Sequence, residues 1–115
     1  MRDLLERWHR LEPERVHIGP PLSDIGADVR LGGVPLWVTF DTPGVYAPAV
    51  ILAATIEAIE AHKGRFTLKR DIGDSHYFAA VRFQSQKTPR IAKSYQPAAA
   101  LLLAYLAALE AEAGS

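Results

Sequence analysis

The 115-residue chain contains no cysteine, which excludes a disulfide framework, a thiolate metal site and a cysteine nucleophile. It also lacks long hydrophobic runs. The longest apolar run, residues 98–109, is well short of the roughly 20 residues that a membrane-spanning helix needs. The first ten residues alternate charged and apolar side chains and lack the apolar core of a secretory signal. These absences predict a cytoplasmic protein that does not cross a membrane.

The chain has no net charge, since 13 basic residues balance 13 acidic ones, but the charges are unevenly distributed. Residues 65–95 carry seven basic residues against two acidic ones, a net charge of +5. Residues 1–41 are acidic on balance, which argues against general binding of duplex DNA, because such affinity follows the number of phosphates neutralised. Local binding of RNA or of single-stranded nucleic acid by residues 65–95 stays an alternative.

Length and composition predict one domain over residues 1–115. Within it we expect an N-terminal helix over 1–12, a sheet with helices over 29–112, and a frayed tail over 113–115. Residues 19–28 have the composition of a loop.

Hydrophobic periodicity and turn residues predict alternating helices and hairpins. The predicted helices lie at residues 1–12, 48–63 and 97–112. The predicted hairpin strands lie at residues 29–31 with 34–40, and at 65–71 with 76–83. Residues 90–95 are a short extra strand or an extended lead-in to the last helix. The order helix, hairpin, helix, hairpin, helix predicts an α+β fold: a mostly antiparallel sheet of about four or five strands with helices packed on it.

Three segments carry a family pattern: the helix from residue 48, the strand Tyr-Phe-Ala-Ala-Val-Arg-Phe at 77–83, and the loop that reaches Pro97 and an Ala/Leu-rich helix. From about residue 46 onward this pattern resembles the phage ABA-sandwich domain family. That family usually has Thr or Ala where Gln96 stands here. The resemblance covers the C-terminal two-thirds of the chain and implies an ABA-sandwich architecture and a phage or prophage origin.

The strongest candidate site is the basic segment 84–95, which leads into a helix that begins at Pro97. Helix N-termini attract anions through their unpaired N–H groups and their partial positive charge. The candidate ligand-binding residues are Lys87, Arg90, Lys93, Ser94, Tyr95, Arg65 and Arg70. Tyr95 can also stack on a base. The alternative is a solvated polar loop, and Pro97 removes one N–H donor that a phosphate would use.

The last helix is apolar on nearly all sides, so it needs cover on more than its sheet face. Either the N-terminal helix or a second subunit would supply that cover. We therefore predict a homo-oligomer whose interface includes Leu102, Tyr105, Leu106 and Leu109.

The chain lacks the motifs of a cofactor, metal or catalytic site. Its four histidines fall on different predicted elements without the spacing of metal ligands, and turn or helix-end roles account better for His62 and His76. There is no Gly-rich nucleotide-binding loop and no nucleophile motif. We therefore predict no metal, no cofactor and no catalytic residue.

The basic segment, together with the resemblance, predicts a non-enzymatic phage-type binding protein: an anti-defence sponge that sequesters an anionic small molecule, a nucleotide signal. The alternative is a phage protein-interaction factor that binds a host protein through its apolar helix or exposed aromatic residues. A weaker alternative is a nucleotide-processing enzyme.

Overall fold

The computed structural model describes residues 2–19, 26–39 and 47–114. Within these residues the chain forms three α-helices and six β-strands. The helices are α1 (Arg2–Leu11), α2 (Ala47–Ala61) and α3 (Pro97–Ala113). The strands are β1 (Val16–His17), β2 (Gly26–Leu31), β3 (Val34–Thr39), β4 (Arg65–Lys69), β5 (Tyr77–Arg82) and β6 (Arg90–Ser94).

The α+β class is confirmed, but the strands form two sheets rather than one. Each sheet is three-stranded and antiparallel, with the orders β1-β2-β3 and β4-β5-β6. Both predicted hairpins are present, and each gains a third strand of its own, β1 beside β2 and β6 beside β5. The two residues of β1 are too few to show a period in the sequence. Residues 26–28, predicted as loop, begin β2, whereas residues 20–25 lie outside the described residues.

The turn of the first hairpin is fixed by backbone geometry and by a contact from α2. Gly32 and Gly33 have φ angles of 61° and 80°, as a tight primed turn requires. The backbone N–H of Gly32 donates to both carboxylate oxygens of Glu57, at 3.1 and 3.0 Å. Pro35 stands in β3, which is an edge strand of its sheet, where the missing N–H of a proline is tolerated.

Helix α3 is the central element of the core and contacts α1, α2 and all three strands of the second sheet. Leu102, Tyr105 and Leu106 are fully buried within the single chain, and Leu109 is only 8% exposed. The prediction that these side chains form a subunit interface is therefore corrected, since they have no surface to offer a second subunit. The same burial leaves these four side chains without a surface to offer a host protein.

Among the residues that the structure describes, no helix is long and apolar enough to cross a membrane. Helix α3 continues one residue beyond the predicted end, to Ala113, where the backbone N–H of Gly114 bonds to Glu110 O.

Candidate functional site

The second sheet has one side packed against α3 and one side turned to solvent. Ala79, Val81 and Phe83 point towards α3 and are buried. The side chains between them along β5, and their partners on the neighbouring strands, point the other way, because successive strand residues alternate between faces. Ile91, at the centre of that other side, is 57% exposed. We call this surface the open face. It comprises Arg65, Thr67, Lys69, Phe78, Ala80, Arg82, Ile91 and Lys93, and we include His76 and Tyr95, which lie just outside β5 and β6 next to its lysine end.

One end of the open face carries two arginines opposite each other. Arg65 of β4 and Arg82 of β5 are register partners, an arrangement that is destabilising for like charges. Arg82 also donates a hydrogen bond from Nη1 to Gln86 O at 3.1 Å. Two shallow hollows adjoin the pair, one of about 310 Å³ towards Lys63 and one of about 220 Å³ towards Thr67. The two guanidinium groups thus border hollows that an anion can enter.

The other end of the open face combines lysines with rings. Phe78 lies between Lys69 and Lys93 in the register, and Lys69 Nζ is 5.5 Å from the centre of the Phe78 ring. Beyond this row, the rings of His76 and Tyr95 lie 4.1 Å apart between centroids, and Tyr95 is 70% exposed. The rings therefore offer a stacking surface beside positive charge.

Asp74 is the acidic side chain that moderates the charge at this end. Its carboxylate accepts a hydrogen bond from the backbone N–H of His76 at 2.9 Å. That bond, helped by the nearby charge of Lys93, holds the pKa of Asp74 below its ordinary value of 3.8. Asp74 is therefore ionised at neutral pH and offsets part of the positive charge of Lys93.

The structure brings some of the predicted ligand-binding residues together and separates others. Arg65, Lys93 and Tyr95 share the open face. The remaining predicted residues lie elsewhere: Arg90 and Ser94 pair with Val81 and Tyr77 on the α3 side, Arg70 lies 5.3 Å from the Tyr77 ring, and Lys87 lies in the loop before β6.

The predicted arrangement, in which the whole basic segment 84–95 lies at the N-terminus of the last helix, is not present. Residues 90–94 form β6, so Lys87 and the start of α3 stand at opposite ends of a five-residue strand, about 16 Å long. Gln96 provides no side-chain cap, Pro97 occupies the first turn, and Ala98 is 1% exposed. The first turn of α3 is thus packed into the protein rather than offered to a ligand.

The predicted set of ligand-binding residues does not include Lys69, Phe78, Arg82 or His76. The apolar alternation of β5 marks its buried face, and the residues between the apolar positions carry no local signal that they share a surface. The same alternation, with the hairpin register, places Lys69, Phe78 and Arg82 on the opposite face, and the His76 ring lies beside Tyr95.

A second polar cluster lies inside the protein around Glu12, which is 7% exposed. Its carboxylate accepts hydrogen bonds from Trp8 Nε1 at 3.0 Å and from the Tyr105 hydroxyl, and lies 3.1 Å from His62 Nε2. Arg15 Nε lies 3.5 Å away.

The pKa of Glu12 reflects two opposing effects. Burial raises it, but the hydrogen bonds from Tyr105, Trp8 and His62 and the charge of Arg15 outweigh burial and hold it below the ordinary value of 4.5. The His62 ring also stacks on Phe83, with 4.6 Å between centroids. Because the carboxylate is fully occupied by donors, we interpret the cluster as a structural junction of the three helices.

Two further features complete the description of possible sites. A hollow of about 700 Å³ beside the first sheet is lined by Arg15 and Arg30 but also by Asp28 and Glu57, so its charges have no common sign. Among residues 2–19, 26–39 and 47–114, no group of three or more His, Cys, Asp or Glu side chains is placed to hold a metal ion.

No match to this chain is found among protein-family models, curated proteins or solved structures. The resemblance to the phage ABA-sandwich family therefore stays a prediction.

Proposed function

We propose that this chain is a non-enzymatic binding protein that holds an anionic nucleotide on the open face of its second sheet. The observation that carries the proposal is the gathering of four basic side chains and three rings on one solvent-facing side of a small sheet. The basic residues are Arg65, Lys69, Arg82 and Lys93, and the rings are those of His76, Phe78 and Tyr95.

The Arg65–Arg82 pair favours a phosphate as one part of the ligand. Two guanidinium groups opposite each other repel, and a bound phosphate relieves that repulsion while accepting hydrogen bonds from both. Arginine matches the geometry of a phosphate through its planar fork of donors.

The rings favour a base as the other part of the ligand. An exposed ring such as that of Tyr95 provides a flat apolar surface for a base, and Phe78 adds a second one between two lysines. Sequestration of a nucleotide signal in the cytoplasm of a phage-infected cell is the biological role that the family resemblance adds to this proposal.

A thermal-shift titration with ATP, a cyclic dinucleotide and inorganic tripolyphosphate tests the proposal. We expect the melting temperature of the wild type to rise with ligand concentration, because a ligand that binds the folded state stabilises it. The double variant Arg65→Ala, Arg82→Ala should lose that rise.

The matched control is Lys87→Ala with Arg90→Ala, which also removes two positive charges from residues 65–95 but leaves the open face intact. It should retain the response of the wild type. A flat response of the wild type to all three ligands, or equal losses in the two double variants, would contradict the proposal.

A further inference from the structure

We infer that the natural ligand of the open face is a single-stranded nucleic acid that lies along the strands of the sheet. This inference rests on the proposed function and names the class of its ligand. It is carried by the spacing of the charges, the shape of the surface and the position of the rings.

The positive charges are too far apart for one phosphate group. The Arg65–Arg82 row and the row of Lys69 and Lys93 are separated by four residues along each strand, about 13 Å. Side chains that stand perpendicular to the sheet keep this separation, so one phosphate is expected to contact one row rather than both. A chain of nucleotides carries a phosphate at every step, so it places one charge at each row.

The shape of the surface also favours a chain over a single nucleotide. Small ligands bind in concave pockets that enclose most of their surface. The open face instead offers two shallow hollows beside Arg65, of about 310 and 220 Å³. Single strands are commonly bound on sheet surfaces, where contacts at successive nucleotides add up.

The rings exclude a duplex as the preferred form. Tyr95 is 70% exposed and Phe78 is half-buried, and a ring binds a base by stacking on its face. In a duplex the faces of the bases are covered by their neighbours. A single strand exposes them, so the rings select unpaired bases.

Fluorescence anisotropy with labelled oligomers of about eight nucleotides tests the inference, since single-strand sites span about 4–16 nucleotides. The probes are single-stranded DNA, single-stranded RNA, the corresponding DNA duplex, and an abasic oligomer with the same number of phosphates. We expect at least one of the single strands to bind at least tenfold more tightly than both the abasic oligomer and the duplex.

We test the rings by replacing one aromatic residue on each face of the second sheet with leucine and comparing the binding of the two variants. Phe78→Leu should weaken binding of the single strand roughly 5- to 140-fold, the usual contribution of one stacked base, without weakening binding of the abasic oligomer. Tyr77→Leu is the control, because Tyr77 pairs with Ser94 on the α3 side and packs partly buried against the core. Tyr95→Ala, at a largely exposed position, should weaken binding without affecting folding.

The salt dependence tests the charges separately. Each phosphate contact contributes about −0.7 to the slope of log K against log salt for a single strand, so four basic residues predict a slope near −2.8. The Arg65→Ala, Arg82→Ala variant should reduce its magnitude by about 1.4.

The outcomes separate the inference from the proposed function. If nucleotides or the abasic oligomer bind through Arg65 and Arg82 but neither single strand binds more tightly than the abasic oligomer, the inference fails and anion binding stands. Equal binding of the duplex, or unchanged binding of the Phe78→Leu and Tyr95→Ala variants, also overturns it. If no nucleotide or oligomer binds, both fail.

Discussion

Glu12 illustrates how one residue can hold several elements together. Its carboxylate contacts side chains from α1, α3 and the end of α2 through Trp8, Tyr105 and His62. A buried carboxylate is stable only when its hydrogen bonds are made, and here they outweigh the cost of burial. The stability of the protein should therefore depend on the charge of this group.

We expect the unfolding free energy to fall in acid. Because the pKa of Glu12 is lower in the folded protein than its ordinary value of 4.5, its contribution is fully present above pH 4.5. That contribution is lost as the pH falls through the folded pKa, since the unfolded chain then binds the proton more tightly. Urea denaturation between pH 7 and pH 3 measures the loss.

Glu12→Gln should lower the unfolding free energy at pH 7 by about 1.5–3 kcal/mol, the range for hydrogen bonds to a charged group. It should also flatten the acid-dependent loss. The control is Glu14→Gln at an exposed position two residues away. An acid profile of Glu12→Gln that matches the wild type would show that Glu12 is not the group responsible.

At the scale of the element, α3 distinguishes a core helix from an interface helix. Leu106→Ala should lower the unfolding free energy by about 2–5 kcal/mol, because it leaves a cavity at a fully buried position. The molar mass from light scattering should not change. Leu103→Ala, at a partly exposed position of the same helix, should cost less. A change in mass without loss of stability would restore the interface interpretation.

The sequence was sufficient for the elements with strong local signals. Pro97 and the Ala/Leu run predicted the start and extent of α3, and periodicity with turn residues predicted the two hairpins. The pairing of strands into sheets was harder to predict from the sequence. Nothing local in Val16 and His17 indicates that they pair with β2, and the division into two sheets depends on which edges meet after folding.

The candidate site was only partly predictable for a similar reason. The basic block 65–95 was visible in the sequence, but its division between two faces of a sheet depends on the register of three strands. Arg90 and Lys93 are three residues apart and therefore point to opposite sides of β6. A count of charges along the chain cannot make that distinction.

At the scale of the whole molecule, a neutral protein carries a concentrated positive surface. With a sequence pI of about 6.9, its net charge alone predicts weak retention on a cation exchanger at neutral pH. We expect stronger retention on heparin resin, because Arg65, Arg82, Lys69 and Lys93 present their charge on one face.

Lys69→Ala with Lys93→Ala should elute from heparin at lower salt than Lys87→Ala with Arg90→Ala, although both remove two charges. The difference arises because the first pair of substitutions removes positive charge from the open face and the second pair does not. Identical elution of the two variants would indicate that only total charge matters.

The central place of α3 also has a consequence for synthesis. This helix supplies core contacts to α1, α2 and the second sheet, yet it follows all of them along the chain. While a ribosome translates the preceding residues, the apolar sides of those elements lack the surface that will cover them. The nascent chain therefore completes its core only after α3 has emerged, and until then it exposes apolar surface of the kind that favours aggregation.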